Sequence, residues 1–211
     1  MNTFLAYIAD NLGAIGIALA QHIGIVAAAL ALAVPVGIAA GIALAHARSR
    51  AARTAVFYLL GLGQTIPSLA LLALAVGLLG VGLLPAIVAL LLYAILPIAR
   101  NACTGVQSVP EATRDAARGL GMTNMQIIRR VELPLARPFI IAGLRTATVV
   151  TISSCALASL IGAGGLGDFI FSGISLFKPE AMLAGAIPTA MLALAADWFL
   201  GRWAARGHAV R

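Results

Sequence analysis

The sequence predicts an all-α polytopic membrane protein, one helix bundle over residues 1–211 with about five spans. Three observations carry that prediction. Hydrophobic residues make up 62% of the chain and charged residues 10%, with a mean hydropathy of +1.03. Soluble domains are roughly 45–50% apolar and about 25% charged. The apolar residues also fall in runs that each approach the roughly 20 residues a helix needs to cross a bilayer. Finally, the basic residues, all arginine except Lys178, cluster between or beside those runs.

Residues 1–20 are apolar but interrupted by Asp10 and Asn11. They are expected as an extracytoplasmic amphipathic segment that lies on the membrane surface rather than crossing it. The opening MNTFLAYIAD has no basic n-region, so the first span is expected to direct insertion and to stay in place. The helix bundle then covers residues 21–201. Its spans are expected at residues 23–45, 54–79, 83–99, 139–161 and 181–200. They must be helices, because backbone groups in lipid can be satisfied only internally.

Sidedness follows from the arginines. Arg48, Arg50 and Arg53 separate spans one and two, Arg100 through Arg137 separate spans three and four, and Arg202, Arg206 and Arg211 follow span five. The positive-inside bias makes these loops and the C-terminus cytoplasmic. The N-terminus, the turn at residues 80–82 and the loop at residues 162–180 then lie outside. The net charge of +7 is thus topogenic, and no nucleic-acid partner is expected.

Several chemistries are not expected. Cys103 and Cys155 show no metal or disulfide spacing, and His22, His46 and His208 are scattered. There is no G-x-x-x-x-G-K-[ST] phosphate loop and no nucleophile elbow. No catalytic residue, metal or cofactor is expected.

The polar island EATRDAARGLGMTNMQIIRRVELPLARP, from Glu111 to Pro138, interrupts the apolar pattern. Pro110 and Glu111 suit a helix start, where proline lacks only an orphan donor and an acid complements the dipole. Arg114, Asp115 and Arg118 share one face, while Ala112, Ala116 and Leu120 share another. Gly119 and Gly121 stop or bend this helix. A second short helix, from Asn124 to Val131, is expected to end before Leu133-Pro134.

Asp115-Ala116-Ala117, three residues, Gly121, nine residues, then Val131-Glu132-Leu133-Pro134 resembles the EAA loop of ABC importer permeases. That pattern is Glu-Ala-Ala, three residues, Gly, nine residues, Ile-x-Leu-Pro. Asp115 replaces the Glu and Val131 the Ile. The resemblance implies a type I ABC importer permease fold and a cytoplasmic coupling loop at residues 110–135. Its coupling helix would seat in a groove of an ATPase subunit. Glu111, Ala112, Asp115, Ala116, Ala117, Gly119, Gly121, Met122, Leu133 and Pro134 are the coupling candidates. An interfacial helix that only anchors the loop is the alternative.

GQTIPSLALLAL from Gly63, LLYAILPIARNACTGVQSVP from Leu91, ELPLARPFIIAGLRTAT from Glu132 and ASLIGAGGLGDFIF from Ala158 look like the osmoprotectant branch of that family. Those systems import glycine betaine, choline and carnitine. The resemblance implies two ABC ATPase subunits, a second permease subunit of the same or a related chain, and an extracytoplasmic substrate-binding protein. ATP hydrolysis would then come from another chain, and the location would be the bacterial cytoplasmic membrane. Another small solute, such as methionine or a sulfonate, is the alternative cargo; a channel or an intramembrane enzyme is the alternative class. Only 6% of the residues are aromatic, so a cage for a quaternary ammonium is expected mainly in the binding protein.

Polar residues within the spans are candidates for the translocation path. Gln64, Ser68, Tyr93, Thr151 and Ser154 are those singled out, with helix packing and kink-holding hydrogen bonds as the competing roles. Arg145 and Asp197 either pair across spans four and five or snorkel separately. Glycine-dense residues 162–167, followed by Asp168, suit a tight bend. The resemblance places Gly164, Gly165 and Asp168 beside an outer gate.

Overall fold

The computed structural model describes residues 2–206, and these fold into helices and turns without a strand among them. Arg211 and His208 lie outside the described residues. Among the described residues four helical stretches are long and apolar enough to cross a membrane, and a helix pair bent at a short break brings the number to five if the pair counts as one span.

The first helix, α1, runs without a break over Asn2–Ala45. Residues 2–20, expected as a segment of their own, belong to the same helix as the first span. No proline occurs before Pro35, and the Asn11 amide donates to the Tyr7 carbonyl at 2.9 Å. The polar residues therefore sit inside the helix instead of ending it. At 1.5 Å per residue, α1 is about 66 Å long, twice the roughly 30 Å hydrocarbon layer. Burial begins only at Ala18. Residues 3–17 extend beyond the bundle.

The expected second span is broken into α2, Arg50–Thr65, and α3, Ser68–Leu79, at an angle of 93°. Pro67 has no N–H to give and holds Ile66 extended, at φ −68° and ψ 125°. At about 24 Å and 18 Å, neither piece spans hydrocarbon alone.

Helix α4, Leu83–Gln107, is the centre of the bundle, packed against both α1 and the later helix α7, Leu133–Ala158. It continues past the expected end at residue 99. Asn101 and Thr104 are absorbed by side-chain bonds to the carbonyls of Pro97 and Arg100. Small residues set the spacing: a Cβ on Gly37 would lie 2.8 Å from Ile98 Cβ, and one on Gly41 2.6 Å from Ala102 Cβ. Glycines four apart let the two backbones approach, which is the main attractive device between helices in lipid.

Helix α5, Glu111–Gly119, and the short α6, Asn124–Ile127, form the loop between α4 and α7. The expected stop before Leu133-Pro134 does not occur. A π-helical turn at Ile128–Glu132 leads directly into α7, Leu133–Ala158, with Leu133 N–H bonded to the Ile128 carbonyl. The missing proline donor falls in the first turn of α7, where the wider turn accommodates it.

After a 3₁₀ turn at Ser159–Ile161, α8 (Gly167–Ser175) leads into α9 (Pro179–Arg206), which packs on α7 and α8. The loops form two groups at opposite ends. His46, Val106, Arg114 and Glu132 meet at the arginine-rich end. At the glycine-rich end, Gly82 N–H bonds the Ile161 carbonyl at 2.8 Å, and Gly165 N–H bonds Gln21 at 3.2 Å.

Candidate functional site

The arginine-rich end is built around α5. Ala117 is its one buried residue, facing the bundle. Ala112 and Ala116 are exposed on another face, and Leu120 beyond them is 79% exposed. Met125 on α6 is also exposed. An apolar stripe on a polar loop is what a protein partner covers. Gly119 and Gly121 are exposed and Met122 is half-buried. Gly121 has φ +76° with open space around it, so its glycine serves the backbone turn rather than packing.

A capping box fixes the direction in which α6 leaves that turn. Thr123 accepts from Gln126 N–H at 3.4 Å, and the Gln126 carbonyl oxygen accepts from Thr123 N–H at 2.8 Å. The sequence reading passed over this T-x-x-Q signature, although it is legible.

The exposed face of α5 carries an ionic ladder. Arg118 bonds Glu111 at 3.1 Å and Asp115 at 2.7 Å, and Arg114 bonds Glu111 at 3.0 Å. Arg118 and then Arg114 hold the Glu111 carboxyl below the usual carboxylate range, while Glu111 and Asp115 push the Arg118 guanidinium up. Exposed pairs of this kind add little stability.

Arg114 does more. Its Nε donates to Glu132 Oε1 at 2.8 Å and its Nη2 to the Val106 carbonyl at 2.5 Å. Glu132, 1% exposed, also meets His46, whose Nε2 is 3.2 Å from the same Oε1 and 3.0 Å from Oε2. Glu132 and Arg114 together thus tie the end of α1, the end of α4, α5 and the π turn to one another. Removing one member of such a buried group costs far more than breaking a surface pair. Neither Glu132 nor His46 was singled out from sequence, because in sequence each looks like an ordinary loop residue. A cleft of about 680 Å³ opens beside this knot, lined among others by Arg48, Gln107 and Asn124.

Of the ten coupling candidates, Glu111 through Met122 gather on α5 and its turn. Leu133 (half-buried) and Pro134 (exposed) start α7 instead, next to Glu132.

The path candidates separate into two places. Gln64 donates to the Tyr93 carbonyl at 3.1 Å, and the Tyr93 hydroxyl donates to the Ile66 carbonyl. Both pin the α2–α3 break, with Ser68 half-buried just after it. Thr151 is wholly buried, with its hydroxyl on the Ala147 carbonyl at 2.7 Å. Ser154 on the same helix is half-buried, while Ser153 is exposed.

The glycine-rich end holds the third group. Gly164 and Gly165 have φ of +79° and +97°. Gln21 bonds Gly165 N–H, and His22 beneath it is fully buried, with Nε2 3.0 Å from the Ile152 carbonyl. Asp168 is exposed in the first turn of α8, and partial burial pushes its carboxyl up. Arg145 and Asp197 pair bidentately between α7 and α9, which answers the choice between pairing and separate snorkelling.

Comparison with known proteins agrees with this architecture. Residues 16–206 match the family of binding-protein-dependent transport system inner membrane components. The glycine betaine/carnitine/choline transport system permease protein OpuCB of Bacillus subtilis is 42% identical, over 95% of this chain and 91% of its own length. The carnitine transport permease protein OpuCB of Listeria monocytogenes is 46% identical, over 86% and 83%. The osmoprotectant import permease protein OsmW of Salmonella typhimurium is 41% identical, over 93% of both chains. Among solved structures, the inward-facing MetNI methionine ABC transporter superposes with a TM-score of 0.80 at 21% identity, over 90% of this chain and 94% of that one. Its fold is the type I ABC importer permease fold expected here. On these matches the chain belongs to the binding-protein-dependent transport system inner membrane components, the ABC importer permeases that its loop spacing resembles.

Proposed function

We propose that this chain is the membrane-spanning subunit of an ATP-driven importer that moves a quaternary-amine osmoprotectant, such as glycine betaine, choline or carnitine, across a bacterial cytoplasmic membrane. The observation that carries the transport role is the knot at Glu132. It makes α5, which exposes an apolar stripe for a partner, rigid with α1, α4 and α7. The cargo class is supported by the names of relatives that are over 40% identical to this chain where they align. The likeness to the methionine transporter is one of fold alone and carries no cargo.

In this reading the arginine-rich end faces the cytoplasm. An ATPase subunit docks at Ala112, Ala116, Leu120 and the Gly121 turn, and a second ATPase docks on a second permease chain. Closure of the ATPase pair moves α5. Because Arg114 and Glu132 leave little play, the movement passes to α7 and α1 as a tilt, and the bundle switches between inward- and outward-facing states. An external binding protein delivers the solute at the glycine-rich end, where Gly164, Gly165 and Asp168 would form the outer gate.

The test is reconstitution with the ATPase and binding protein in proteoliposomes. Uptake of labelled glycine betaine should require ATP on the α5 side and binding protein on the other. Downhill uptake without ATP would overturn the reading.

A further inference from the structure

The geometry points to a second recognition site for the cargo within the membrane: a zwitterion-binding cleft between α7 and α9, formed by Arg145, Asp197 and Trp198. This inference rests on the quaternary-amine reading above.

Arg145 lies near the middle of α7, about 18 Å along the helix from Leu133, and Asp197 lies about 27 Å along α9 from Pro179. Both lie within apolar stretches, toward their arginine-rich ends: Arg145 is about two turns past Arg137, and Asp197 comes shortly before Arg202. Charged side chains there almost always face a bundle interior or a water-filled cavity. Yet the pair is not enclosed within the protomer: the Arg145 and Asp197 side chains are 46% and 36% exposed. They open onto a cleft of about 610 Å³ that also takes in Trp198, Gly201 and Arg202. Gly201 borders the guanidinium, with a Cβ there falling 3.4 Å from Arg145 Nη1.

The chemistry of that cleft matches a molecule with a quaternary ammonium at one end and a carboxylate at the other. The Arg145 fork, which holds the Asp197 carboxylate bidentately, can hold a cargo carboxylate in its place. Asp197 supplies a negative charge. The Trp198 ring already holds a cation: the Arg202 guanidinium sits 4.4 Å above it. A quaternary ammonium can take the place of that guanidinium on the ring face. A zwitterion entering the cleft thus exchanges the Arg145–Asp197 pair for a carboxylate on Arg145 and an ammonium beside Asp197 and Trp198, while the displaced Arg202, an exposed residue, turns out of the cleft. The site is transient by construction, because the Arg145–Asp197 pair re-forms when the cargo leaves.

The experiment uses the complete importer in proteoliposomes, with glycine betaine (ammonium and carboxylate) and choline (ammonium only) as paired probes in the same vesicles. Arg145→Gln should lower the maximal uptake rate of glycine betaine about tenfold relative to choline, the loss of one charge-assisted contact. Arg145→Lys should recover part of that ratio. Trp198→Ala removes a ring that is 60% exposed, and so not one the fold depends on. It should lower the maximal rate of both probes several-fold. An unchanged betaine-to-choline ratio in Arg145→Gln, or wild-type rates in Trp198→Ala, overturns the site while leaving the importer reading intact. Wild-type protein that moves neither probe overturns the cargo reading and this site with it.

Discussion

Arg114 Nε donates to Glu132 Oε1 across 2.8 Å, and through that contact the exposed helix α5 is joined to the start of α7. The same guanidinium reaches the end of α4 through the Val106 carbonyl. A force applied to α5 therefore has a short, stiff route into the bundle.

Glu132→Ala tests that route. It leaves the half-buried Arg114 without its main acceptor, and the expected cost is ~3 kcal/mol, the low end for breaking a buried pair because Arg114 keeps some exposure. The detergent-solubilised complex should melt at a lower temperature. ATP hydrolysis should persist while solute moved per ATP falls. A variant with normal stoichiometry would remove Glu132 from the coupling route.

Gly121 offers a backbone test of the same loop. Its φ of +76° is a left-handed conformation with nothing nearby to obstruct a side chain. Gly121→Val should cost about 1–2 kcal/mol by strain alone, whereas Gly121→Asn should be tolerated better. Transport should follow that order, Asn above Val. Ala117→Glu acts differently, by forcing a charge into the buried face of α5, and should leave insertion intact while uncoupling uptake from hydrolysis.

What could be read in advance was whatever depends on near neighbours in sequence. Apolar run length marked the spans, and the spacing from Asp115 to Pro134 marked the loop. The angle at Pro67 was not legible. A proline announces a kink, but here the right angle is held by Tyr93 and Gln64, which are 29 residues apart in the chain. Glu132 was overlooked for the same reason. Its burial depends on His46, 86 residues away, and a lone acid in a polar loop reads as solvated. The continuity of α1 with residues 2–20 was not legible because Asp10 and Asn11 interrupt the apolar run; within the helix Asn11 bonds the Tyr7 carbonyl one turn back.

The Glu111 ladder predicts a pH dependence. Arg118 and Arg114 depress the Glu111 carboxyl in the folded loop. Their contribution is therefore present above the ordinary carboxylate range and is lost as pH falls through that range and below it. Amide exchange across residues 111–119 should quicken on acidification at matched intrinsic rates. Glu111→Gln should already exchange faster at neutral pH and should lose that part of the response. A wild-type loop insensitive to acid would show that α5 is ordered by Ala117 and Arg114 alone.

The contact between α1 and α4 yields the sharpest packing test. A Cβ on Gly41 would lie 2.6 Å from both the Ala102 Cβ and the Ala99 carbonyl oxygen. Neither atom is the end of a flexible side chain, so the helices would have to separate. Interhelical contact in lipid depends on such close approach, since hydrocarbon supplies no hydrophobic drive to reseal a gap. Gly41→Leu should therefore insert but fail to form a stable bundle, seen as loss of the folded complex on size exclusion and rapid proteolysis. Gly77→Ala, where a Cβ meets nothing within 4 Å, should behave as wild type in the same assays. If both variants assembled equally well, the α1–α4 seam would not be what holds the bundle together.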